Sequence, residues 1–487
     1  MTISPLLLFK QETEQKIINE GFSLLENPGI LVHNLEVLNL LAESGAEVDK
    51  NSQLARIPEK LSREALESCP AEFSLYNLMG DQVIIARRGK SYFAPGSSAL
   101  TVLDRKTQKI RPGNTEDLVS FSKLTEMLGQ LDAQSTAIVC SDVPQEIADL
   151  YRLYLVLCYS SKPIISGAFR KDTLKIMIDL LTISSGSKEN LLNKPRAIFD
   201  ICPTSPLKWG ETSSQNLLEC ARHGIPVQIV PMPLAGATSP VTLAGTIVQH
   251  TAECLSGIVI SQLARKGSPV VWGGSPAIFD MKSSTASLGA AGSWLLGIGY
   301  AQIGRALGLP TGIFMGISDA KFLDTQAGLE SSSSSILAAL AGINLISGAG
   351  MLALENCQSL EKLVIDAEII TISRYLTRGI IIRDEPIALD LIREVGHQSD
   401  FLSHKHTLQW FKEESYFPSQ VIDRKTPADW ENAGSLSSRE HAYQQVDQLL
   451  SLYPGPGLDI SARKELEKIA NSAAKTAGMD HLPILTS

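Results

Sequence analysis

The sequence predicts an α/β protein, a (βα)8 barrel of the TIM type with a mainly helical extension at each end. Three observations predict this fold: eight short apolar runs, amphipathic stretches of helical period between them, and a spacing of roughly 30 to 40 residues between run starts. Strands that alternate with helices form a parallel sheet, and eight such units in about 290 residues suit a closed barrel. The predicted strands are Tyr92–Ala99, Asp132–Val139, Pro163–Phe169, Ala197–Pro203, Val227–Pro233, Pro269–Ser275, Gly312–Gly316 and Ile343–Ser347.

Each predicted strand is apolar on both faces, as expected for a parallel strand with helices outside and packed side chains inside. The segment after the second strand illustrates a predicted helix. Asp142 can cap it, Pro144 suits its first turn, and Ile147, Tyr151 and Cys158 share one face. An open doubly wound sheet is the alternative, but the first strand lacks the G-x-G-x-x-G turn of a dinucleotide site.

Three regions are predicted along the chain. Residues 1–88 form an N-terminal helical subdomain, in which apolar residues such as Ile17 and Phe22 recur with helical period. Residues 89–378 form the barrel. In residues 379–487 the apolar period weakens and charge rises, which predicts a C-terminal helical extension that packs on the barrel.

Composition excludes several classes of protein. The 487 residues are 44% hydrophobic and 20% charged, which is enough apolar material for a full-sized core. The net charge of −9, without any cluster of basic residues, argues against nucleic-acid binding and favours a cationic ligand. We expect no membrane span and no secretory signal, and the odd, scattered set of seven cysteines is typical of reduced thiols. These features predict a cytoplasmic protein.

Histidine is scarce where barrel chemistry occurs. Active sites of these barrels lie at the carboxyl ends of the strands, and no predicted strand ends in a histidine. The one close pair, His404 and His406, belongs to the C-terminal extension and has no cysteine nearby, so helix ends or local hydrogen bonds explain it better than zinc. We therefore expect no tightly bound metal.

Carboxylates offer more as candidate catalytic groups. Asp142 follows the second predicted strand, and Asp319 follows the seventh, in the same connection as Gln326 and Glu330. A helix cap is the alternative interpretation of Asp142 and Asp319. Glu330 lies near a helix start at the predicted barrel mouth. We expect Glu330 and Asp319 to be catalytic, with Gln326 and Asp142 binding substrate.

Aromatic residues near the strands could hold a cation. Several ring faces around one pocket bind a quaternary ammonium group without offering it a proton. The predicted faces are Trp272, Phe314 and Tyr92, with packing between barrel and helices as the alternative. The backbone of Ser347, Gly348 and Gly350 follows the eighth strand, where barrels often bind anionic groups through N–H donors.

Many ordered blocks of the sequence resemble the trimethylamine methyltransferase family, in the branch that lacks pyrrolysine and includes the glycine betaine methyltransferases. The resemblance spans nearly the whole chain. Its blocks are Phe93–Gly96, Ser141–Pro144, Pro206–Trp209, Met232–Thr238, Trp272–Pro276, Ser318–Lys321, Gln326–Glu330, Ser347–Gly350 and Glu361–Glu368.

The resemblance implies a methyl transfer from a methylated amine to the Co(I) centre of cobalamin, carried on a separate small corrinoid-binding protein. It implies that the backbone at Ser347, Gly348 and Gly350 meets this corrinoid or the substrate. The founding enzymes use pyrrolysine, which this sequence lacks, so the expected substrate shifts to a quaternary amine such as glycine betaine. A quaternary amine leaves as a neutral tertiary amine, which suits a site poor in histidine. The sequence leaves open whether the protein forms a homo-oligomer.

Other functions remain open at this point. One is a corrinoid-dependent demethylase of a tertiary amine or methyl ether, with Glu330 as the acid. Another is a lyase that uses Lys208 or Lys321 as a Schiff-base amine, although a solvent-facing lysine is the simpler interpretation. A third is a non-catalytic barrel that binds betaines or corrinoids.

Overall fold

The computed structural model describes residues 5–87, 89–397 and 400–483. Its centre is formed by eight strands, labelled β1 to β8, each of which overlaps one predicted run. They are β1 Tyr92–Pro95, β2 Gln134–Ser135, β3 Ile164–Ser166, β4 Ala197–Ile201, β5 Val227–Ile229, β6 Val270–Trp272, β7 Gly312–Phe314 and β8 Leu345–Ala349.

The eight strands close in chain order. Parallel pairing joins β2 to β6 in sequence, and a second parallel set joins β7, β8 and β1. Single parallel bridges complete the circle, Ala99 with Ile138 between the first two strands and Trp272 with Thr311 between the sixth and seventh. The predicted barrel is therefore confirmed, and the open-sheet alternative is wrong.

A helix follows each barrel strand and covers the outside of the barrel. The eight helices are Thr115–Met127, Ala148–Tyr159, Lys171–Ser184, Glu211–His223, Leu243–Ala264, Ala291–Ala306, Thr325–Leu340 and Leu360–Arg378. Two shorter pieces, the 3-10 helix Gln145–Ile147 and the helix Lys188–Asn193, lie in the connections. Within the described residues, Leu243–Ala264 alone is long and apolar enough to cross a membrane, yet 78% of its most apolar window is buried by neighbouring helices.

The base of the barrel, at the amino ends of the strands, is closed by a β-hairpin. Its strands Phe73–Tyr76 and Gln82–Ala86 pair antiparallel and present apolar side chains to the barrel interior. They pack in one cluster with interior residues such as Ile165, Ile198 and Val271. Because this contact is apolar and buried, the interior opens at the opposite end, the barrel mouth.

The N-terminal extension contains strands as well as the predicted helices. Helices Gln11–Glu26, Leu35–Glu43 and Glu59–Ser68 accompany short strands Ile30–Val32, Glu47–Asp49 and Leu54–Arg56. Ile30–Val32 also pairs in parallel with Lys208–Trp209, which follows β4. This pairing ties the extension to the barrel, and the division at residue 88 stays a prediction.

The C-terminal extension is helical throughout its described part. The helices are Leu389–Val395, Lys405–Glu414, Pro427–Asn432, Ser438–Ser451 and Ile460–Thr476. Ser438–Ser451 packs on the barrel helices Thr115–Met127 and Leu360–Arg378, and Ile460–Thr476 packs on the two helices that follow β2 and β3. The division at residue 378 stays a prediction.

Short strands form two small sheets at the mouth of the barrel. A four-stranded sheet contains Thr101–Leu103, Ile110–Pro112, Met351–Leu352 and Cys357–Gln358. A three-stranded sheet contains Leu234–Ala235, Ala277–Asp280 and Thr285–Ser287. These insertions follow β1, β5, β6 and β8, so they build the walls above the carboxyl ends of the strands.

Candidate active site

A cavity of about 960 Å³ opens at the mouth of the barrel. Residues that follow β1, β3, β4, β5, β7 and β8 line it, which is the position of active sites in this fold. Its described lining holds the acidic residues Asp200, Glu211 and Glu355 and no lysine, arginine or histidine. The cavity is therefore suited to a positively charged ligand.

Asp200 is the central acidic group of the cavity. It lies one residue before the end of β4, and its Oδ1 accepts a hydrogen bond of 3.0 Å from Nε2 of Gln228 on β5. Burial raises the pKa of Asp200 to about 8, the charge of Glu355 adds to this rise, and the Gln228 amide opposes it. Perturbed carboxyl groups in a cavity are a common mark of functional sites.

Glu355 approaches Asp200 from the connection that follows β8. Burial raises the pKa of Glu355 to about 7. Because the two carboxyl groups repel each other when both are ionised, the pair holds a proton near neutral pH more readily than separate carboxylates would. A cation placed between them would favour the fully ionised pair.

The turn that carries Glu355 has an unusual backbone. Three consecutive non-glycine residues, Ala353, Leu354 and Glu355, have φ angles of 51°, 59° and 66°. L-residues rarely adopt this left-handed region, and each instance costs on the order of 1–3 kcal/mol. Such strain clusters at functional sites, and here it aims a carboxyl group into the cavity.

Cys202 also faces the cavity, next to the acidic pair. Its side chain is exposed to the cavity, although the cavity itself is deep within the protein. Burial raises the pKa of the Cys202 thiol to about 12, and the charges of Asp200 and Glu355 contribute. The thiol therefore stays neutral at physiological pH and is a poor nucleophile.

A buried cation lies behind the wall formed by Ser98 and Phe169. The Arg152 side chain is fully buried, donates a 2.9 Å hydrogen bond from Nη1 to Oγ of Ser98, and stacks 4.6 Å from the Phe169 ring centroid. Ser98 and Phe169 both line the cavity, and Oγ of Ser97 lies 3.1 Å from that of Ser98. The cavity therefore combines acidic groups with a hydroxyl-lined wall that has a guanidinium behind it.

Two of the three predicted aromatic faces lie elsewhere. Trp272 is fully buried between β6 and a barrel helix, where its Nε1 donates to the carbonyl of Tyr300 at 3.0 Å. Tyr92 begins β1 at the closed base, and its hydroxyl accepts from the backbone N–H of Ile85 in the hairpin. The interpretation of both as substrate faces was wrong, because Trp272 packs outward and Tyr92 lies at the wrong end.

The remaining predicted substrate residues divide between the cavity and its surroundings. Phe314, the last residue of β7, lines the cavity. Asp142 accepts hydrogen bonds from the backbone N–H of Thr115 at 3.0 and 3.2 Å, so it caps the helix that follows β1. The sequence correctly offered capping as an alternative for Asp142, although the capped helix is a neighbouring one.

The structure brings Asp319, Gln326 and Glu330 together beside the mouth. Glu330 Oε2 accepts from Oγ of Ser318 at 2.6 Å and from the backbone N–H of Asp319 at 2.8 Å, and Gln326 donates to Oε1 at 2.9 Å. Burial, with the charge of Glu330, raises the pKa of Asp319. These bonds occupy the Glu330 carboxylate in holding the connection after β7, and catalytic roles for Glu330 and Asp319 stay a prediction.

The stretch Ser347–Gly350 is not an open loop. Ser347 and Gly348 lie within β8, and the Gly350 N–H donates to Oδ2 of Asp366 at 2.7 Å. A side chain at Gly348 would meet the Met315 backbone, so glycine lets β7 and β8 approach closely. The Gly350 N–H is therefore not free to bind a ligand, and contact of Ser347, Gly348 and Gly350 with the corrinoid or the substrate stays a prediction.

Sequence reasoning missed Asp200, Glu355 and Arg152. Asp200 lies in a run that predicts a strand, and Arg152 lies in a segment that predicts a helix, so both were interpreted as parts of the fold. A charged residue inside an otherwise apolar strand or buried helical face is the signal that could have found them. In the described ranges, 5–87, 89–397 and 400–483, no group of three or more His, Cys, Asp or Glu side chains is arranged to hold a metal ion.

The chain is similar to known methyltransferases along nearly its whole length. The sequence profile of the trimethylamine methyltransferase (MTTB) family matches residues 1–478. The chain is 32% identical over 470 residues to a trimethylamine methyltransferase of Methanosarcina thermophila, with 95% of this chain and 96% of the relative covered. It is 28% identical over 474 residues to a glycine betaine methyltransferase of Desulfitobacterium hafniense, with 97% and 98% covered.

Solved structures show the same fold. The monomethylamine methyltransferase of Methanosarcina barkeri superposes with a TM-score of 0.55 at 13% identity, covering 96% of this chain and 89% of that one. At this identity the likeness supports the barrel architecture alone.

Proposed function

The chain belongs to the trimethylamine methyltransferase family, and from that premise we propose that it moves a methyl group from a quaternary amine of the glycine betaine type to a Co(I) corrinoid on a separate carrier protein. The relatives include both a trimethylamine and a glycine betaine methyltransferase, so the family alone leaves the amine open. The observation that carries the choice is the Asp200–Glu355 pair in a cavity whose described lining has no basic residue.

The acidic groups of the cavity suit the ammonium group. A fixed cation between Asp200 and Glu355 gains Coulomb attraction in a site of low dielectric constant, and the Phe314 ring adds a cation–π face. A quaternary nitrogen has no proton to remove, so the site needs no general base. The neutral Cys202 thiol also leaves the methyl donor unattacked.

The wall that contains Ser97 and Ser98 suits a carboxylate. Arg152 polarises the Ser98 hydroxyl, and Ser97 and Ser98 can both turn a hydroxyl toward the cavity. An anion placed there is attracted by the buried guanidinium without touching it. The two sides together match a zwitterion, which favours a betaine over a simple tetraalkylammonium ion.

The mouth has features that suit a docking partner. Large apolar side chains are exposed on the connections around it, a pattern that marks interaction surfaces. They are Leu100, Phe169, Met232, Val241, Met281, Phe322 and Leu329. The open cavity and this apolar rim fit the approach of a carrier-bound corrin ring, which would supply the nucleophile that accepts the methyl group.

The residues of this chain would then act by holding the substrate in a fixed orientation. Asp200 and Glu355 hold the ammonium, the Ser97–Ser98 side holds the carboxylate, and one N–CH₃ bond is left pointing at the mouth. Fixing that direction and excluding water from the cation are the contributions that such a site makes to a displacement reaction. The reaction is proposed to occur in the cytoplasm, where thiols stay reduced, and the seven cysteines are free.

One observation favours a second candidate, demethylation of a tertiary amine or a methyl ether. A carboxyl group with its pKa raised to about 8 is protonated at neutral pH and could donate its proton to a leaving nitrogen or oxygen. Asp200, rather than the predicted Glu330, would then be the acid. The Schiff-base lyase loses support because the described cavity lining contains no lysine, and Lys321 donates instead to the backbone carbonyl of Asp319.

The experiment that tests the proposal follows the absorbance change from Co(I) to methyl-Co(III) cobalamin with a panel of donors. The donors are glycine betaine, tetramethylammonium, trimethylamine and a methyl ether. We expect methyl-cobalamin from glycine betaine, with tetramethylammonium slower because it has no carboxylate. A faster reaction with trimethylamine or the ether would favour the second candidate, and no reaction with any donor would contradict both.

Variants separate the binding groups from general effects. Glu355→Gln should weaken the affinity for glycine betaine at least about tenfold, because a loss of about 1.4 kcal/mol of charge attraction is enough. Glu189→Gln, the same change at an exposed position near the barrel base, is the matched control. Equal affinities for the two variants would contradict the placement of the ammonium.

A further inference from the structure

A second cavity, of about 220 Å³, lies at the base of the barrel, away from the mouth. Three segments meet there: the turn 77–80 of the closing hairpin, residues 184–190 after the helix that follows β3, and residues 194–196 just before β4. Met79 is 62% exposed, so the cavity reaches the surface. We call it the base pocket.

The base pocket holds a buried arginine without a protein partner. The Arg196 side chain is 2% exposed, and none of its three guanidinium nitrogens has a hydrogen-bond partner among the described residues. A buried guanidinium left unpaired costs several kcal/mol, which natural proteins rarely tolerate without a compensating contact. Burial lowers the pKa of Arg196 only to about 10, so the group stays charged at neutral pH.

Other polar groups of the pocket complement this cation. The Oγ of Ser185 is buried and also lacks a partner in the described part of the chain. Lys194 contributes a second cation, whose Nζ makes one long bond of 3.3 Å to the carbonyl of Gly80. Asn77 and Asn190 add amide groups to the lining.

The nearby carboxylates are engaged elsewhere. Glu126 influences Arg196 through its charge, but its oxygens accept from Oγ of Ser160 and from the N–H and Oγ of Ser161. Asp81 accepts from the Asn77 amide. The described lining of the base pocket contains no aspartate or glutamate, so no carboxylate of the lining pairs with Arg196 or Lys194.

We propose that the base pocket binds a small oxyanion, either inorganic phosphate or the phosphoryl group of a phosphate monoester. The planar fork of Arg196 matches the paired oxygens of a phosphoryl group, Lys194 adds charge, and Ser185 donates a hydroxyl hydrogen bond. Water could fill the same volume and accept hydrogen bonds, but it would leave both charges uncompensated. Binding would clamp the hairpin to the start of β4.

The test measures phosphate binding by calorimetry and the unfolding midpoint of the full-length protein at constant ionic strength, with chloride as the balancing anion. One arm uses inorganic phosphate and the other glycerol phosphate, which distinguishes the free ion from a monoester. We expect saturable binding in at least one arm and a midpoint that rises with that anion beyond the chloride reference.

Variants decide whether the base pocket is responsible. Arg196→Met, which replaces the guanidinium with an apolar chain of similar length, should weaken phosphate binding by at least about tenfold. Lys188→Gln removes an exposed charge from the adjoining helix and should keep the affinity within about twofold. If Arg196→Met fails to fold, exposed Lys194→Gln takes its place, with a smaller loss of affinity expected.

Two outcomes would overturn the proposal. One is a phosphate effect no larger than that of chloride in both arms, which means that the pocket holds only water. The other is saturable binding of equal strength in the parent, the Arg196→Met or Lys194→Gln variant and the Lys188→Gln control, which means that the anion binds elsewhere.

Discussion

Gln228 and Asp200 face each other across two neighbouring barrel strands, and the amide of Gln228 donates to the carboxyl group of Asp200 at 3.0 Å. Gln228 is 1% exposed, and its side chain passes so close to Gly312 and Gly273 that a methyl group at either position would collide with it. The two glycines therefore make room for a residue whose hydrogen bond lowers the pKa of Asp200 and opposes the effect of burial.

The first prediction concerns this hydrogen bond. Gln228→Leu removes a donor that favours the ionised form of Asp200, so the pKa of Asp200 should rise above its value of about 8. The affinity for a quaternary amine, measured as a function of pH, should then require a higher pH to reach its maximum. Gln15→Leu, an exposed change in the N-terminal extension, is the control, and identical pH profiles would contradict the role of Gln228.

The second prediction links Asp200 to stability. Folding raises the pKa of Asp200 from 3.8 to about 8, so the folded state binds the proton more tightly. Stability associated with Asp200 is therefore greatest at low pH and declines as the pH rises through that window. Asp200→Asn removes this decline.

Thermal unfolding midpoints at about pH 5 and about pH 9 measure the effect, since these values span the upper part of the window. The midpoint should fall less for Asp200→Asn than for the parent, while exposed Asp172→Asn should follow the parent. A parallel fall in all three proteins would show that Asp200 ionises as freely after folding as before.

The third prediction concerns Trp272. Because this side chain is fully buried and hydrogen-bonded to Tyr300, Trp272→Ala should cost about 3–5 kcal/mol in the free energy of unfolding. Trp430→Ala, at a position that is 37% exposed, should cost no more than about 1 kcal/mol. Chemical denaturation gives both values. A Trp272→Ala protein that keeps its stability but binds the amine more weakly would instead support a role of Trp272 in substrate binding.

The fourth prediction concerns Glu330. Glu330→Gln replaces an oxygen that accepts from Ser318 and Asp319 with a group that cannot serve both donors equally well. The expected cost is about 1–3 kcal/mol of stability, with amine affinity unchanged, because the carboxylate is committed to the connection after β7. Denaturation and amine titration test the two parts, and a loss of affinity as large as that of Glu355→Gln would contradict the assignment.

The fifth prediction concerns the close approach of β7 and β8. In Gly348→Ala the added methyl carbon would lie 2.9 Å from the Met315 carbonyl carbon and closer still to its oxygen. Backbone atoms cannot move aside as the end of a flexible side chain can. The variant should therefore give little soluble protein. Gly328→Ala, in a helix with nothing within 4 Å, should be at least as stable as the parent. Equal yields of folded protein would show that the backbone around Gly348 can shift to accommodate a methyl group.

The fold could be predicted because it depends on patterns that repeat. Strands such as Ile164–Ser166 and Val270–Trp272 are buried on both faces, which gives continuous apolar runs, and polar or turn residues mark their ends. The short strands of the N-terminal extension escaped prediction because Ile30–Val32 and Leu54–Arg56 have three residues each, too few to show a period.

The site could be predicted only in part. Phe314 reaches the cavity, but a strand covered on both sides gives no sign of which residues face inward, so Trp272 was assigned to the wrong side. The role of Glu355 was not predicted because its position depends on three consecutive residues with left-handed φ angles. None of them is a glycine, which would have indicated such a turn in the sequence. Carboxylates after strand ends drew attention to Asp142, whose carboxylate accepts from the first N–H of the helix that follows β1.

In the part of the chain that the structure describes, the hairpin closes the base of the barrel and the active-site cavity opens at the mouth. If the proposed carrier protein binds the apolar rim, it covers the mouth, through which the amine would enter and the demethylated product would leave. The order of events then follows from the architecture: amine first, carrier second, carrier released before product. Steady-state kinetics should accordingly show the carrier inhibiting at high concentration, because a carrier that seats too early locks the amine out.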